Sequence, residues 1–433
     1  MTPAVLGLLV IGLLFVMLLA RMPVWLTLAL CGIGGNLVMS NFVVAKSLAG
    51  TTPFDVSNSY GLSVIPLFIL MGEIATGTRL SAELFQAARV ILSGLRGGLA
   101  IASIGASGLF GAVCGSSVAT AATMTRIALP EMRKSGYEDG YAASAIAAGG
   151  SLGILIPPSI IPIIYGAIAE QSIRKLFAAA LLPGIVLMLL YIVVAMVIAA
   201  RVPGKVPADA PASARARLRA LRDPWQFVVL FTVTIGGIYA GVFSPNEATA
   251  IGAFGAIVIG VAGRRVTLRK LLEAVRTTAI TSTVLFMIMI GATMFSNFVV
   301  QTRLPHVLLD IAQSFNLPGW GVMVLIVVIY IILGCFLEGI GMVLVTVPVF
   351  LPIVVGYGYD PIWFAVIVVI VVELGLIHPP VGMNLFVIQA QVPDLRISQL
   401  YIGILPFLLA PFALIALLFF FPAIAMWLPG LMR

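Results

Sequence analysis

Residues 149–159 read Gly149-Gly-Ser-Leu-Gly-Ile-Leu-Ile-Pro-Pro-Ser159, and residues 373–384 read Glu373-Leu-Gly-Leu-Ile-His-Pro-Pro-Val-Gly-Met-Asn384. Each stretch interrupts an apolar run long enough to be a helix. A proline lacks the backbone donor and clashes with the carbonyl one turn back, so two in a row break the helix. The two Pro-Pro pairs are 222 residues apart, and the same shift aligns their surroundings. Leu129-Pro130 falls on Leu351-Pro352, Gly136-Tyr137 on Gly358-Tyr359, and Leu152-Gly153 on Leu374-Gly375. With a two-residue slip, Thr78-Arg79-Leu80 meets Thr302-Arg303-Leu304. An ordered set of matches in one register marks an internal duplication, and both copies carry the break.

Composition says where such helices live. Of 433 residues, 61% are hydrophobic and 9% charged, against roughly 25% charged in soluble domains. A bilayer solvates that much apolar surface, and membrane bundles tolerate the 43 Gly and 26 Pro. Cys31, Cys114 and Cys335 lie in apolar runs and read as small hydrophobes. No basic region precedes the apolar run at 3–20, and Arg21 follows it, so it reads as a retained span rather than a cleaved signal.

Full spans are predicted at 3–20, 23–44, 61–77, 140–170, 176–200, 224–243, 245–263, 279–300, 362–391 and 400–430. The stretches 98–130 and 318–352 are too short for two spans and a turn. Gly111-Ala-Val-Cys-Gly-Ser-Ser117 and Leu337-Glu-Gly-Ile-Gly341 interrupt them, so each is read as a re-entrant hairpin. The alternating segments 80–95 and 304–315 are read as interfacial braces. With the N-terminus outside, every Lys and Arg except Lys46, Arg174, Lys175, Arg303 and Arg433 falls on the cytoplasmic side, which the positive-inside rule favours. The net charge of +8 therefore follows topology and gives no nucleic-acid site.

The expected architecture is an all-α polytopic membrane protein. Residues 1–200 and 224–433 form two repeats of five spans plus one hairpin, joined by a basic cytoplasmic linker at 201–223 lying near lipid headgroups. Five spans is an odd number, so the second repeat is inverted relative to the first. That arrangement occurs in alternating-access transporters, with the two hairpins entering from opposite faces.

Chemistry is expected where the breaks meet the hairpins. Freed carbonyls and half-helix ends in 149–159 and 373–384 suit a cation or an anionic substrate. Gly115, Ser116, Ser117 and Thr120 offer hydroxyls and close backbone approach, which suit a desolvated Na⁺. Glu338 falls opposite Ser116 in the repeat. Glu338 and Glu373 are acids at membrane depth, where such groups are costly. Each is open to three roles: carrying a proton, ligating a cation or tethering backbone. His378 is open to titration near neutral pH or to plain packing. Glu247, in Ser244-Pro-Asn-Glu247, is expected to cap its helix. Gly105-Ala-Ser-Gly108 matches the pattern of intramembrane serine proteases, with Ser107 as nucleophile and His378 as base. That reading explains neither the repeat nor the paired breaks. A channel would need continuous pore-lining charge, which the sequence lacks.

The strings GLFGAVCGSSVATAATM (108–124), GGSLGILIPPSIIPIIYG (149–166), GVFSPNEATAIGA (241–253), CFLEGIGMVLVTVPVFLPI (335–353) and GLIHPPVGMNLFVI (375–388) resemble the large membrane subunit of TRAP (tripartite ATP-independent periplasmic) transporters. The likeness runs over essentially the whole chain. It implies Na⁺-driven, ATP-independent uptake of an organic anion, such as a C4-dicarboxylate, sialic acid or another sugar acid, across the bacterial inner membrane. It also implies a soluble periplasmic binding protein, a separate four-span small subunit, and an elevator-type movement of the hairpin-bearing body. No cofactor other than the coupling ion is implied. Carried over by motif, the ion and substrate sites involve Gly111, Gly115, Ser116, Ser117, Thr120, Gly150, Ser151, Gly153, Pro157 and Pro158. In the second half they involve Gly334, Glu338, Gly339, Gly341, Glu373, Gly375, His378, Pro379, Pro380 and Asn384, with Na⁺ around Ser116, Ser117, Gly339 and Pro379. Cys114 stands where the resemblance leads one to expect a smaller residue, often serine.

Overall fold

The computed structural model describes residues 2–202, 206 and 211–432; linker positions 203–205 and 207–210, and the charges Lys205 and Arg433, lie outside them. Among the described residues every regular element is a helix. Six helices are long and apolar enough to cross a membrane, from Tyr60–Gly77 to Ile397–Phe420, and shorter apolar helices such as Pro3–Leu19 and Gly319–Gly334 pack beside them. Large apolar side chains, among them Val16, Phe254 and Ile402, face outward over much of the surface, as a bilayer requires.

Local chemistry sets the helix ends. Ser244 accepts from the Glu247 backbone N–H, and the Glu247 carboxylate accepts from the Ser244 N–H at 2.8 Å, which closes the expected capping box. Thr78 Oγ1 donates to the Ala75 carbonyl and accepts from Leu80 N–H; Thr302 does the same between Val299 and Leu304. Each threonine turns the chain from a span into a brace, Leu80–Ile91 or Leu304–Ser314.

Helices Gly98–Cys114 and Ser117–Lys134 fold back on one another, as do Gly319–Gly334 and Gly339–Gly356. A shift of 222 carries 117–134 onto 339–356 without residue. It also carries Tyr141, whose hydroxyl donates to the Ala195 carbonyl, onto Trp363, whose indole donates to that of Leu418. Asp139–Ser151 and Ile160–Ile168 form one broken span; Pro361–Ile377 and Met383–Gln391 form the other. Both intervening Pro-Pro bonds are cis.

Three boundaries differ from expectation. A helix, Phe42–Ser57, fills the interval between the spans predicted at 23–44 and 61–77, started by Asn41, whose side chain accepts from Val44 N–H at 3.0 Å. The span placed at 279–300 is the C-terminal part of a 35-residue helix, Leu268–Thr302, because Thr267 caps it well before the apolar run begins. The span placed at 400–430 stops at Phe420 and resumes at Ala423. Phe421, preceding Pro422, is driven out of helical conformation to φ −131°, ψ 70°. In the linker, Ala214–Ala220 is helical, and Arg217 donates to the Ser93 carbonyl at 2.8 Å.

Candidate functional site

The two hairpin tips and both breaks converge on one cavity of about 350 Å³. Gly115, Ser116, Ser117 and Val118 reach it from the first tip, and Glu338, Gly339 and Ile340 from the second. Ile154, Ile160 and Ile161 line it from the first broken span, and Val372, Leu376 and Met383 from the second. The first residues of four helices therefore face one space: Ser117–Lys134, Gly339–Gly356, Ile160–Ile168 and Met383–Gln391. A helix N-terminus carries unpaired N–H groups and roughly half a positive charge. Those N–H groups can serve an anion, although no basic side chain lines the cavity and the Glu338 carboxylate does.

The first tip is built tightly. Gly115 sits at φ +65°, and a Cβ there would enter the ring of Phe68. Ser116 caps the second hairpin helix, its Oγ accepting from Ala119 N–H at 3.3 Å. Asn384 donates to Ser117 Oγ at 2.7 Å and ties this tip to the second broken span. Gly111 and Gly153 bring hairpin and break to backbone contact: a Cβ on Gly111 would lie 2.5 Å from the Gly153 Cα. Thr120 Oγ1 and the Ser116 carbonyl oxygen lie 3.0 and 3.1 Å from where a Cβ on Gly153 would be. Thr120 Oγ1 is buried and its one polar neighbour is the weakly hydrogen-bonding Cys114 thiol, while Asn384 Oδ1 and Ser159 Oγ are buried with no hydrogen-bond partner. Buried oxygens left unpaired in this way are unusual. Gly150 packs on Ala121, while Pro157 and Pro158 are fully enclosed.

The second tip is looser. Glu338 occupies the N-cap position of Gly339–Gly356 without a side-chain capping bond, and it is exposed. Gly339 lies against Val372, and Gly334 meets Gly375 backbone to backbone, matching Gly111 and Gly153 one place out of register. Gly341 points at Val24 instead of the cavity. His378 and Pro379 are half-buried, Pro380 is exposed, and the Tyr401 hydroxyl donates to the Pro380 carbonyl. His378 Nδ1 has no partner, and the ring does not line the cavity.

Ser151 and Glu373 occupy equivalent places in the two copies, and they touch: Ser151 Oγ donates to Glu373 Oε1 at 2.7 Å. The Tyr191 hydroxyl lies 3.3 Å from the same serine oxygen. Both residues are fully buried and outside the cavity lining, so they join the broken spans to each other behind the site. Phe68, Tyr191 and the isoleucines of the lining carried no signal in the sequence, where they look like any membrane-facing residue. Ser107 is completely buried, with an unpartnered hydroxyl and no hydrogen bond to His378. A nucleophile needs its base within hydrogen-bond reach, and this pair has no such contact.

Comparison with known proteins agrees with this architecture. The crystal structure of the Alcanivorax borkumensis YdaH transporter superposes with a TM-score of 0.59 at 15% identity, over 90% of this chain and 89% of that one. The C4-dicarboxylate TRAP transporter large permease protein DctM of Pseudomonas aeruginosa is 34% identical over 87% of this chain and 88% of its own. The sialic acid TRAP transporter large permease protein SiaM of Vibrio cholerae is 29% identical over 97% of both chains. The isethionate TRAP transporter permease protein DctMQ of Oleidesulfovibrio alaskensis is 30% identical over 92% of this chain and 63% of its own length. These relatives are transport permeases and not enzymes. The family described as "Tripartite ATP-independent periplasmic transporter, DctM component" matches residues 11–424, and the chain belongs to it.

Proposed function

We propose that this chain is the permease of a Na⁺-coupled secondary transporter that imports an organic anion delivered by a soluble periplasmic binding protein. The observation that carries the reading is the convergence of four helix N-termini on one cavity between the two hairpin tips. A carboxylate or sulfonate there meets backbone N–H groups, and its charge is offset by the helix dipoles. The relatives named for C4-dicarboxylate, sialic acid and isethionate support an anion as the substrate class.

Na⁺ fits the first tip by donor chemistry. The Ser116 carbonyl and Thr120 Oγ1 face the bare Gly153, and Thr120 Oγ1 has only the weak Cys114 thiol beside it. Oxygens that bind a cation only when it is present are left poorly satisfied in this way. Proton coupling through Glu373 is less well supported, since that carboxyl is enclosed and already bonded to Ser151. The basic residues on one side support a periplasmic N-terminus. Duplicated halves of opposite orientation support an elevator movement of the hairpins and broken spans against the remaining helices. The DctMQ relative, which extends well beyond the 63% of its length matched here, is consistent with the separate small membrane subunit that the family resemblance implies.

The test is thermal unfolding of the purified chain in NaCl against choline chloride. A ligand bound only by the folded state adds about 2.7 kcal/mol at a hundredfold excess over Kd. A saturable, Na⁺-specific rise in Tm is expected, and Thr120→Val should weaken Na⁺ binding about tenfold or more without lowering the Tm in choline. A Tm that ignores Na⁺ but moves with pH would transfer the coupling to a proton.

A further inference from the structure

A second cavity, about 530 Å³, shares no lining residue with the one at the hairpin tips. It is a groove between helices Ile173–Arg201 and Ile397–Phe420, floored by Gly140 and Tyr141 at the start of the first broken span. One wall is Val193, Val197 and Ile198, and the other is Ile402, Pro406 and Leu409. The floor offers nothing polar to an occupant, because the Tyr141 hydroxyl already donates to the Ala195 carbonyl at 3.0 Å. All the polarity sits at one end, where Arg201, Gln399 and Glu138 form the mouth. Arg201 is exposed.

We infer that this groove is a specific phospholipid site, with one acyl chain between the two helices and the lipid phosphate on Arg201. Three features point to that occupant. From Arg201 back to Val193 the wall runs about 12 Å, and from Gln399 to Leu409 about 15 Å, at 1.5 Å per helical residue. That depth accommodates the greater part of one leaflet's hydrocarbon thickness, about half of 30 Å. The guanidinium stands at the end of the groove where a headgroup would lie, and its donors suit phosphate oxygens. Apart from the mouth and Tyr141 the lining is Gly140, Gly403, Pro406 and branched aliphatic side chains, which suits a flexible acyl chain. Both walls pack on the broken spans, so the lipid would sit against the part of the molecule that carries the transport site. The site is independent of the ion and the substrate proposed above.

Native mass spectrometry of the full chain after detergent purification, with phosphatidylglycerol or phosphatidylethanolamine added back in known amounts, tests the assignment. Wild type is expected to retain one phospholipid. Arg201→Gln should lower the retained fraction about fivefold, the factor one basic group near a lipid surface is worth. Val197→Trp, which fills the groove, should abolish retention, while Val324→Trp on an unrelated lipid-facing surface should leave it unchanged. Equal retention in all four proteins would mean ordinary annular lipid and would overturn the site. Retention lost in Val197→Trp but intact in Arg201→Gln would remove the phosphate anchor and with it the assignment. Loss of a co-purifying membrane subunit in Val197→Trp, with no lipid in wild type, would reassign the groove to a protein partner.

Discussion

The two hairpin tips match at a shift of 222 residues and do different things. The first, Gly115-Ser116-Ser117, is packed under Phe68 and Gly72 of the helix Val64–Gly77 and presents hydroxyl and carbonyl oxygens to the break behind it. At the second, Glu338-Gly339-Ile340, Phe336 and Glu338 are exposed, and the place equivalent to Thr120 is Met342. The breaks differ in the same sense: 151–159 is wholly buried, whereas His378, Pro379 and Pro380 are partly open. Helix starts and stops match at that shift, then, but the polar atoms do not. What the copies share is where helices start and stop; what they have diverged in is what those starts offer.

The largest expected effect separates the tips by steric tolerance. Gly115→Val places a side chain both in a left-handed backbone position and inside Phe68. Left-handed strain of about 1–2 kcal/mol and overpacking of about 1–3 kcal/mol should combine into a large drop in Tm and loss of uptake. Gly341→Ala meets a Val24 methyl at 3.2 Å, a contact relieved by a shift of a few tenths of an ångström, and should move the Tm far less than Gly115→Val. Comparable losses in both variants would mean that the second tip is as tightly held as the first.

Next in size is the contact where the two copies meet. Truncating Glu373 removes its hydrogen bond to Ser151 and opens a void at a fully buried position, although Ser151 keeps the Ala148 carbonyl at 2.7 Å; the loss is about 1–3 kcal/mol. Glu373→Ala should therefore destabilise more than Glu338→Ala, whose carboxylate makes no capping bond. Glu373→Gln, which still offers an oxygen to Ser151, should recover most of the loss. If Glu373→Ala melts like wild type, the Ser151 contact contributes nothing and the breaks are held by their glycines alone.

Much of this comparison was legible in the sequence, and the reason is particular. Pro157-Pro158, Pro379-Pro380 and the glycines beside them act on their own backbone, so the helix breaks follow from local chemistry. The Thr-Arg-Leu turns and the Ser244 capping box are local in the same way. The site was legible as an inventory but not as an arrangement. Nothing in the spacing says that Gly341 faces Val24 while Gly339 faces the cavity. Tyr191 was invisible because one tyrosine in a 29-residue apolar helix gives no pattern. The helix at Phe42–Ser57 escaped for the opposite reason: Lys46, Asp55 and Pro53 made it look like a loop, and Asn41 started it regardless.

A smaller difference divides the two braces. Leu80–Ile91 is pinned at both ends by ion pairs, Glu83 to Arg265 at 2.6 Å and Arg89 to Glu131 at 2.6 Å. These connect the brace to the loop before Leu268–Thr302 and to the end of the first hairpin. Among the described residues no ion pair reaches Leu304–Ser314, although it carries His306 and Asp310. Half-exposed pairs of this kind contribute about 0.2–1 kcal/mol, too little to decide whether the chain folds. They bear on where the first brace sits. Arg265→Gln should lower the Tm only slightly, and by less in high salt, where the pair is screened. The charge-reversed double variant Glu83→Arg with Arg265→Glu should restore what each single reversal loses. Asp310→Asn in the second brace should change nothing. If the double reversal fails to recover the Tm while both singles lose it, each charge acts through some other neighbour, and the asymmetry between the braces is one of packing alone.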